Sequence, residues 1–376
     1  MREVADYNRG EDLCLEGRQK LFEEIEKERG RTLVALCNFD RNSDPRIPGL
    51  SWQFGLDVKE PLFRVLKESA SKGRGIDLCL YTRGGDTNAV WPIANLLREF
   101  DVDYEVLVPF RCHSSGTLLA LGARKIIMTP LAELSPIDPT TGNQFNPTDA
   151  TSKSRLGISV EDVQQYRNFV LEQLKLNSDG DDFRGQLHPF LQRLADVVHP
   201  LALGNVHRVH QQIRQLATKL LGFHSDDPKK DEAIVDAMTT RFFSHLHMVS
   251  RAEAKEIMGD RVVYAPGKLS ESLDKLLRAY EVHFCLRQDL FLSSFMENTP
   301  TKSARFIGGA IESNKWSYVL ETQLQISQSS VFPNNIQIQL PVGQGLPLVP
   351  GLARQFHIEV ASGGWVRNLE PKGFDR

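Results

Sequence analysis

The sequence predicts an α/β fold in which a layered parallel sheet carries crossover helices. Two observations lead to this prediction: apolar runs typical of strands recur between residues 30 and 130, and amphipathic helical segments alternate with them. One of these runs, IDLCLYT, is mostly apolar and does not alternate, as expected for a strand covered on both faces. With 376 residues, 41% of them hydrophobic and 25% charged, the chain can build a sizeable core and more than one module.

The predicted elements of this alternation follow one another in a regular order. A helix over residues 18–29 (RQKLFEEIEKER) leads into the β-rich run TLVALCNFD. Each later strand is reached through one helix, which is the pattern of right-handed crossovers in a parallel sheet. In chain order the further elements are a helix at Glu60–Ser71, a strand at Ile76–Thr82, a helix at Ala89–Phe100, a strand at Tyr104–Phe110, a helix after Ser114 and the short strand RKIIM.

The rest of the chain departs from this rhythm. Residues from about 140 to 235 contain a turn-rich polar stretch and then two or three helices, which predicts a helical insertion. Near the C-terminus, alternation at a period of two predicts strands over residues 315–327, 335–342 and 355–368. The predicted domains are an α/β core with an N-terminal helix (1–140), a helical insertion or arm (141–235), a closing segment of the core (236–290) and a small C-terminal β-rich module (291–376).

Composition excludes several classes of function. The net charge of −3 and the isoelectric point near 6.4 provide no basic field, so no nucleic-acid partner is expected. Five widely spaced cysteines predict reduced, buried thiols and no zinc site, and the chain shows no signal peptide and no apolar run long enough for a membrane span. We therefore expect a cytoplasmic protein without a metal or other cofactor. No phosphate-binding loop is present either, so any activity should be independent of ATP.

Two strand ends carry unusual residues. The strand at 76–82 ends in Arg83-Gly84-Gly85-Asp86, and the next strand leads into His113-Ser114-Ser115-Gly116. Gly85 and Ser114 are 29 residues apart, which is room for one crossover helix and one strand. Because the carboxyl ends of neighbouring parallel strands meet at one edge, we expect the glycine loop and the serine turn to lie close together.

This pairing provides the parts of an acyl-transfer site. A serine hydroxyl attacks a carbonyl carbon, while the N–H groups of Gly85 and Ser115 face the oxygen that becomes negative. A simpler interpretation stays open, because serine often caps a helix and Gly-Gly often forms a turn. His199, His207 and His210 fall on one predicted helix, but their spacing resembles no known zinc motif, so we expect solvated or interfacial histidines.

Several motifs together resemble the serine dehydrogenase proteinase family, relatives of signal peptide peptidase A within the Clp-protease and crotonase-like fold. They are LYTRGGDTNAVWPIANLLREF, SSGTLLALGARKIIMTPLAELSPIDP and SRAEAKEIMGDRVV, within a similarity that covers roughly residues 15–285. The resemblance implies a Clp/crotonase-like sheet, a nucleophile at Ser114, and an oxyanion hole built from Gly84, Gly85 and the backbone of Ser115. It also implies a homo-oligomer. The sequence departs from these relatives at His113, where a lysine is common, and at Ser115, where another small residue is common.

The general base is the open part of this interpretation. The region where Clp-type proteases carry their histidine reads AELSPIDP and contains none. We rank His245 first, because it precedes a helix similar to the closing helix of those proteases and histidine titrates near neutral pH. Lys153 comes second, by analogy with the serine-lysine dyad of signal peptide peptidase A, and Asp138 comes third.

The sequence therefore predicts a serine peptidase that hydrolyses peptides or proteins through a Ser114 acyl-enzyme. Two alternatives remain open. One is a crotonase-like enzyme that acts on a thioester or other acyl substrate. The other is a non-catalytic oligomeric scaffold that recruits partners through its β module.

Overall fold

A computed structural model describes most of the chain. The described residues are 15–40, 43–44, 53–71, 73–138, 140–151, 154–173, 183–242, 244–287, 290–331, 348 and 352–368. The helices are α1 (Leu15–Arg29), α2 (Lys59–Ser69), α3 (Val90–Phe100), α4 (Ser115–Ala120), α5 (Val160–Gln173), α6 (Phe183–Val197), α7 (Pro200–Leu221), α8 (Pro228–Thr240), α9 (Arg251–Met258), α10 (Gly267–Phe284) and α11 (Leu292–Met296). Short 3-10 helices lie at Leu56–Val58, Thr87–Ala89 and Gly259–Arg261.

Fifteen strands are present in the described ranges. They are β1 (Thr32–Asn38), β2 (Ser43–Asp44), β3 (Ile76–Tyr81), β4 (Glu105–Val108), β5 (Arg111–Cys112), β6 (Ile126–Met128), β7 (Glu133–Leu134), β8 (Thr140–Thr141), β9 (Ile158–Ser159), β10 (Val249–Ser250), β11 (Val262–Tyr264), β12 (Leu290–Phe291), β13 (Thr301–Glu312), β14 (Ser317–Ser330) and β15 (Arg354–Arg367).

The central sheet has eight strands in the order β11-β6-β4-β3-β1-β13-β14-β15. The first five of these run parallel, with β1 beside β3, β3 beside β4, and β6 between β4 and β11. This confirms the predicted layered α/β fold with crossover helices. Both faces are covered, since every residue of β1 and β3 is buried. Continuous apolar runs can be accommodated only in such a doubly covered sheet.

The C-terminal strands predicted over residues 315–327 and 355–368 are present as β14 and β15. They do not form a separate sheet, because β13 pairs antiparallel with β1 and continues the central sheet through β14 to β15. Ala35 lies opposite Glu312 in this register. The predicted strand at 335–342 lies outside the described residues. The boundary predicted at residue 291, between the core and the C-terminal β-rich module, does not separate two sheets.

A second, smaller sheet stands at the carboxyl ends of the parallel strands. It contains β5, β7 and β10, and single bridges extend it from Cys112 to Thr82 and from Gly85 to Phe54. Each of these short segments follows a strand of the central sheet or precedes a crossover helix. The arrangement therefore brings the ends of several strands to one edge, where α7 packs against α4 and contacts the β8 region.

Helices α5 to α8 occupy the region predicted as a helical insertion. The C-terminal half of α7 contributes Ile213, Ala217 and Leu220 to the main core, so the insertion packs against the sheet layer. Among the helices that the structure describes, none combines the length and apolar character needed to traverse a lipid bilayer.

Candidate active site

Ser114 occupies a strained turn between β5 and α4. Its backbone has φ 50° and ψ −113°, a combination that non-glycine residues rarely adopt. Surrounding hydrogen bonds hold it there: the Ser114 N–H donates to Ser135 Oγ at 2.7 Å, and Leu118 N–H donates to the Ser114 carbonyl at 2.9 Å. Thr117 braces the same turn, because its hydroxyl donates to the Cys112 carbonyl at 2.7 Å and accepts from Ser135 N–H at 3.0 Å.

The glycine loop lies directly beside this turn. A Cβ atom on Gly84, which has φ +98°, would come within 2.7 Å of Ser114 Cβ, so the serine side chain packs against the bare glycine. The Ser115 hydroxyl donates to the Gly85 carbonyl at 2.8 Å and ties the two segments together. The structure thus brings together Gly84, Gly85, Ser114 and Ser115, the four residues that the sequence assigned to the nucleophile and the oxyanion hole.

Phe54 fixes the other side of the glycine loop. Its N–H donates to the Gly84 carbonyl at 3.0 Å, and its carbonyl accepts from Asp86 N–H at 2.8 Å. The Gly85 N–H takes no part in this bridge and, like the Ser115 N–H, donates to no acceptor within the described ranges. Two unpaired donors beside a serine hydroxyl are the chemical requirement of an oxyanion hole.

His245 and Asp138 form an ion pair next to this edge. His245 Nδ1 lies 3.1 Å from Asp138 Oδ1, and Asp138 is only 4% exposed. The loop that carries Asp138 also carries Ser135, the partner of Ser114, and is tied to the end of α8 by a 3.0 Å bond from Ile137 N–H to the Met238 carbonyl. The hydrogen bond to Asp138 raises the pKa of His245 above its ordinary value, although burial opposes this shift.

The pairing leaves His245 Nε2 available. In the part of the chain that the structure describes, this nitrogen has no hydrogen-bond partner, and no bond joins His245 to the Ser114 hydroxyl. About one third of the His245 side chain is accessible. A carboxylate on Nδ1 and an open Nε2 are the features that a histidine base requires. The sequence ranked these residues as separate candidates, whereas the structure joins them.

His113 and Cys112 are differently placed. His113 Nε2 lies 3.1 Å from Glu133 Oε1 but is not aligned for a hydrogen bond. Burial first, and then the charges of Arg111 and Arg83, lower the pKa of His113 to about 4, so this ring is neutral at pH 7. Cys112 is fully buried, and burial raises the pKa of its thiol far above neutral pH. His113 therefore carries no positive charge at neutral pH, and Cys112 provides no reactive thiolate.

The remaining sequence candidates contribute no metal site. His199 caps α7 by accepting a hydrogen bond from Leu201 N–H at 3.1 Å, and its ring stacks on Phe145. His210, in the middle of α7, is 8% exposed. Within the described ranges, no group of three or more His, Cys, Asp or Glu residues could hold a metal ion. Lys153 lies outside the described residues.

Two residues near the site were not singled out from the sequence. The Ser135 hydroxyl accepts the hydrogen bond from Ser114 N–H. In the sequence, Ser135 was marked only by its place in the Ser-Pro-Ile-Asp turn. Glu161, in the first turn of α5, acts on His245 through its charge. An acidic residue in a first helical turn is an ordinary feature of helices, so Glu161 carried no distinctive signal.

Comparisons with known proteins place the first half of the chain near one family. Residues 9–180 match the family described as ClpP-like SDH-type serine proteinase. The chain is also 30% identical over 173 residues to the uncharacterized protein MJ0137 of Methanocaldococcus jannaschii, and 28% identical over 172 residues to the uncharacterized protein MJ1495 of the same organism. Each alignment covers 42% of this chain, and the chain spans only 59% and 58% of the length of these two relatives.

Two solved structures resemble the chain more loosely. Both are variants of the 1510-N membrane-bound stomatin-specific protease, one with serine changed to alanine and one with lysine changed to alanine in complex with a substrate peptide. The first is 13% identical, covers 57% of this chain and 75% of its own, and gives a TM-score of 0.35. The second is 12% identical, covers 64% and 87%, and also gives a TM-score of 0.35. These superpositions are too loose to bear on function.

The family resemblance inferred from the sequence motifs is therefore confirmed for the part of the chain that holds the glycine loop and the serine turn. The match to the ClpP-like SDH-type serine proteinases extends over residues 9–180 and includes both of these segments.

Proposed function

We propose that the chain is a serine peptidase with Ser114 as its nucleophile. The observation that supports this most directly is the strained Ser114 turn packed against Gly84, with the unpaired N–H groups of Gly85 and Ser115 beside it. Backbone strain of this kind persists only when its surroundings enforce it, and it concentrates at functional sites. Matching the family over residues 9–180 supports the same reaction class.

The proposed reaction uses these groups in turn. His245 Nε2 takes the proton of the Ser114 hydroxyl as Oγ attacks the peptide carbonyl carbon, and the oxygen that becomes negative accepts from the N–H groups of Gly85 and Ser115. The C–N bond then breaks, and the proton passes from His245 to the leaving amine. Water, deprotonated by the same histidine, hydrolyses the acyl-enzyme and restores Ser114.

Asp138 orients His245 in this mechanism. Its carboxylate holds Nδ1, which keeps the proton there and directs Nε2 outward. Lys153 is the alternative base predicted from the sequence. The variants Lys153→Ala and His245→Ala distinguish the contributions of the two residues. We also propose that the protein forms a homo-oligomer and that its substrates are peptides or proteins. Size-exclusion chromatography with light scattering measures the oligomeric state.

A fluorophosphonate probe tests the nucleophile. We expect stoichiometric labelling, located by mass spectrometry at Ser114 and abolished in Ser114→Ala. Ser71→Ala, a change at an exposed serine, is the matched control and should label like the wild type. Absence of labelling from a folded wild-type sample at pH 6 to 9 would refute the proposal and favour the thioester or scaffold alternatives.

A second set of variants tests the base. His245→Ala should lower the labelling rate by about 10²-fold or more, as expected when general-base assistance is lost. His247→Ala is its control, because His247 is two residues away but stacks on Phe242 and lies 3.1 Å from Glu253. If Lys153→Ala, rather than His245→Ala, abolishes labelling, the lysine is the base.

A further inference from the structure

Three buried polar atoms near the proposed base have no hydrogen-bond partner in the described ranges. They are Asp138 Oδ2, Glu161 Oε1 and His210 Nε2. Asp138 is 4% exposed and His210 is 8% exposed, so neither residue is hydrated like a surface group. Leaving such groups unpaired costs stability, and native proteins keep them only for a reason.

These atoms come from three different segments that meet around Asp138. Asp138 follows β7, Glu161 lies in the first turn of α5, and His210 lies in the middle of α7, which contacts α5. Burial raises the pKa of Glu161, and the charge of Asp138 raises it further. Burial lowers the pKa of His210, as do the charges of Arg214 and His207, and the charge of Asp138 works against that shift. Asp138 is thus the common electrostatic neighbour of both residues and of His245.

All three atoms can accept hydrogen bonds. Carboxylate oxygens are acceptors, and the ring of His210, whose pKa is lowered, is neutral and offers one acceptor nitrogen. No described group donates to them, and no hydrogen bond joins the two carboxyl groups. These three acceptor atoms therefore need a partner that has several hydrogen-bond donors. Because two of them belong to carboxylates, a positively charged partner is favoured.

We propose that Asp138, Glu161 and His210 form a subsite for the cationic side chain of an arginine or lysine residue in the peptide substrate. A metal ion is a poorer fit, because these side chains do not form a cluster close enough to ligate one. The guanidinium of arginine and the ammonium of lysine lie at the end of a long side chain and have several N–H donors. Such a group can form hydrogen bonds to acceptors that lie too far apart to bind one metal ion. This inference rests on the proposed peptidase function.

The position of the subsite determines what it would select. Asp138 holds the proposed base through Oδ1 and presents Oδ2 to the subsite, so a bound cation lies next to the reacting centre. Glu161 is only partly covered, and a third of the His245 side chain is accessible, which places the entrance at these two residues. We therefore expect cleavage within one or two residues of a basic side chain.

The first experiment measures binding without turnover. Ser114→Ala protein is titrated with fluorescent peptides that carry arginine, lysine or citrulline at one position, where citrulline keeps the shape of arginine but is neutral. We expect the cationic peptides to bind roughly tenfold to hundredfold more tightly than citrulline, as charge-assisted hydrogen bonds provide. The arginine and lysine arms identify which cation is preferred.

Glu161→Gln supplies the decisive variant, since it removes the charge but keeps the shape. We expect it to abolish discrimination between arginine and citrulline, while Asp162→Asn, a change at the exposed neighbouring carboxylate, leaves discrimination intact. Equal binding of arginine and citrulline peptides by Ser114→Ala protein that retains Glu161 would show that the cluster does not recognise a cation and would overturn the inference. A basic preference that arises only in Lys153→Ala protein would also overturn it, because the chain's own lysine would then be the occupant.

Cleavage mapping keeps this inference separate from the proposed function. Wild-type protein is incubated with a peptide library of known sequences, and the cut sites are read by mass spectrometry alongside Ser114 labelling. Labelling with cuts that show no basic preference would refute the subsite and leave the peptidase intact. No labelling and no cuts would refute the peptidase itself.

Discussion

Replacing Gly85 with alanine is the sharpest test of the oxyanion hole. An ideal Cβ on Gly85 would lie 2.1 Å from the Phe54 carbonyl oxygen and 2.7 Å from the Phe54 nitrogen, whereas real Cβ contacts almost never fall below 3.0 Å. Phe54 cannot rotate away, because the clash is with its backbone, which is bonded to Gly84 and Asp86 on either side. The glycine loop itself must therefore shift by roughly 1 Å, a misplacement large enough to affect catalysis.

The size of the effect follows from that shift. Moving the loop withdraws the Gly85 N–H from the developing oxyanion, and loss of one such donor costs about 10²–10³ in rate. The clash should also lower the free energy of unfolding by roughly 1–3 kcal/mol, as overpacking does in a tight site. We expect Gly85→Ala protein to be folded but to react with a fluorophosphonate probe about 10²–10³ times more slowly.

The measurement is the second-order labelling rate, followed together with urea unfolding. Gly142→Ala is the matched control, because a Cβ there meets no atom within 4 Å, and it should leave both quantities unchanged. If folded Gly85→Ala protein labels at the wild-type rate, the Gly85 N–H does not stabilise the oxyanion and this part of the mechanism is wrong.

Three further predictions concern the charged pairs. Because His245 must be neutral to act as a base, kcat/KM for peptide hydrolysis should rise with pH as this residue loses its proton. The pKa of His245 is raised, so the midpoint of a pH-rate profile should lie above the ordinary 6.5. Asp138→Asn should move that midpoint to lower pH and reduce kcat by about 10³–10⁴, and an unchanged midpoint would contradict the pairing. Far from the site, Arg18 donates to the buried Glu312 at 2.8 and 2.9 Å. Arg18→Met removes the positive charge that pairs with this carboxylate and leaves it only the hydroxyl hydrogen bonds from Tyr280 and Ser317. The change should cost about 3–5 kcal/mol in urea unfolding, part of which the double variant with Glu312→Gln should recover.

Much of the core could be predicted because its signals are local. The mostly apolar run at 76–82 is recognisable as a doubly covered strand from its composition, its short length and the glycines that follow it, and the structure has β3 at Ile76–Tyr81. The meeting of Gly85 and Ser114 was also predictable, since parallel strands joined by one crossover place their carboxyl ends side by side. Neither inference needed information about distant parts of the chain.

Long-range pairings were beyond this kind of inference. His245 and Asp138 are 107 residues apart, and nothing in the periodicity of either segment indicates the other. The C-terminal strands were recognisable from their alternation, but their pairing with β1 depends on which sheet edge is free once the core has formed. Such contacts are selected by tertiary packing, and a single sequence specifies them only through the complete fold.

The backbone conformation at Ser114 bears on the choice between the catalytic interpretation and the scaffold alternative. Three non-glycine residues in the described ranges have positive φ: Ser114, Cys285 and Glu297. Cys285 ends α10 in the left-handed conformation that commonly stops a helix, whereas Glu297 ends α11 with φ 48° and ψ −117°, nearly the backbone conformation of Ser114. Ser114 instead begins a helix, where an N-cap residue ordinarily has negative φ, and its side chain caps nothing. Because Glu297 has the same strain outside the proposed site, strain alone does not indicate catalysis. At Ser114 it coincides with two unpaired N–H donors, and this combination favours the catalytic interpretation over the scaffold.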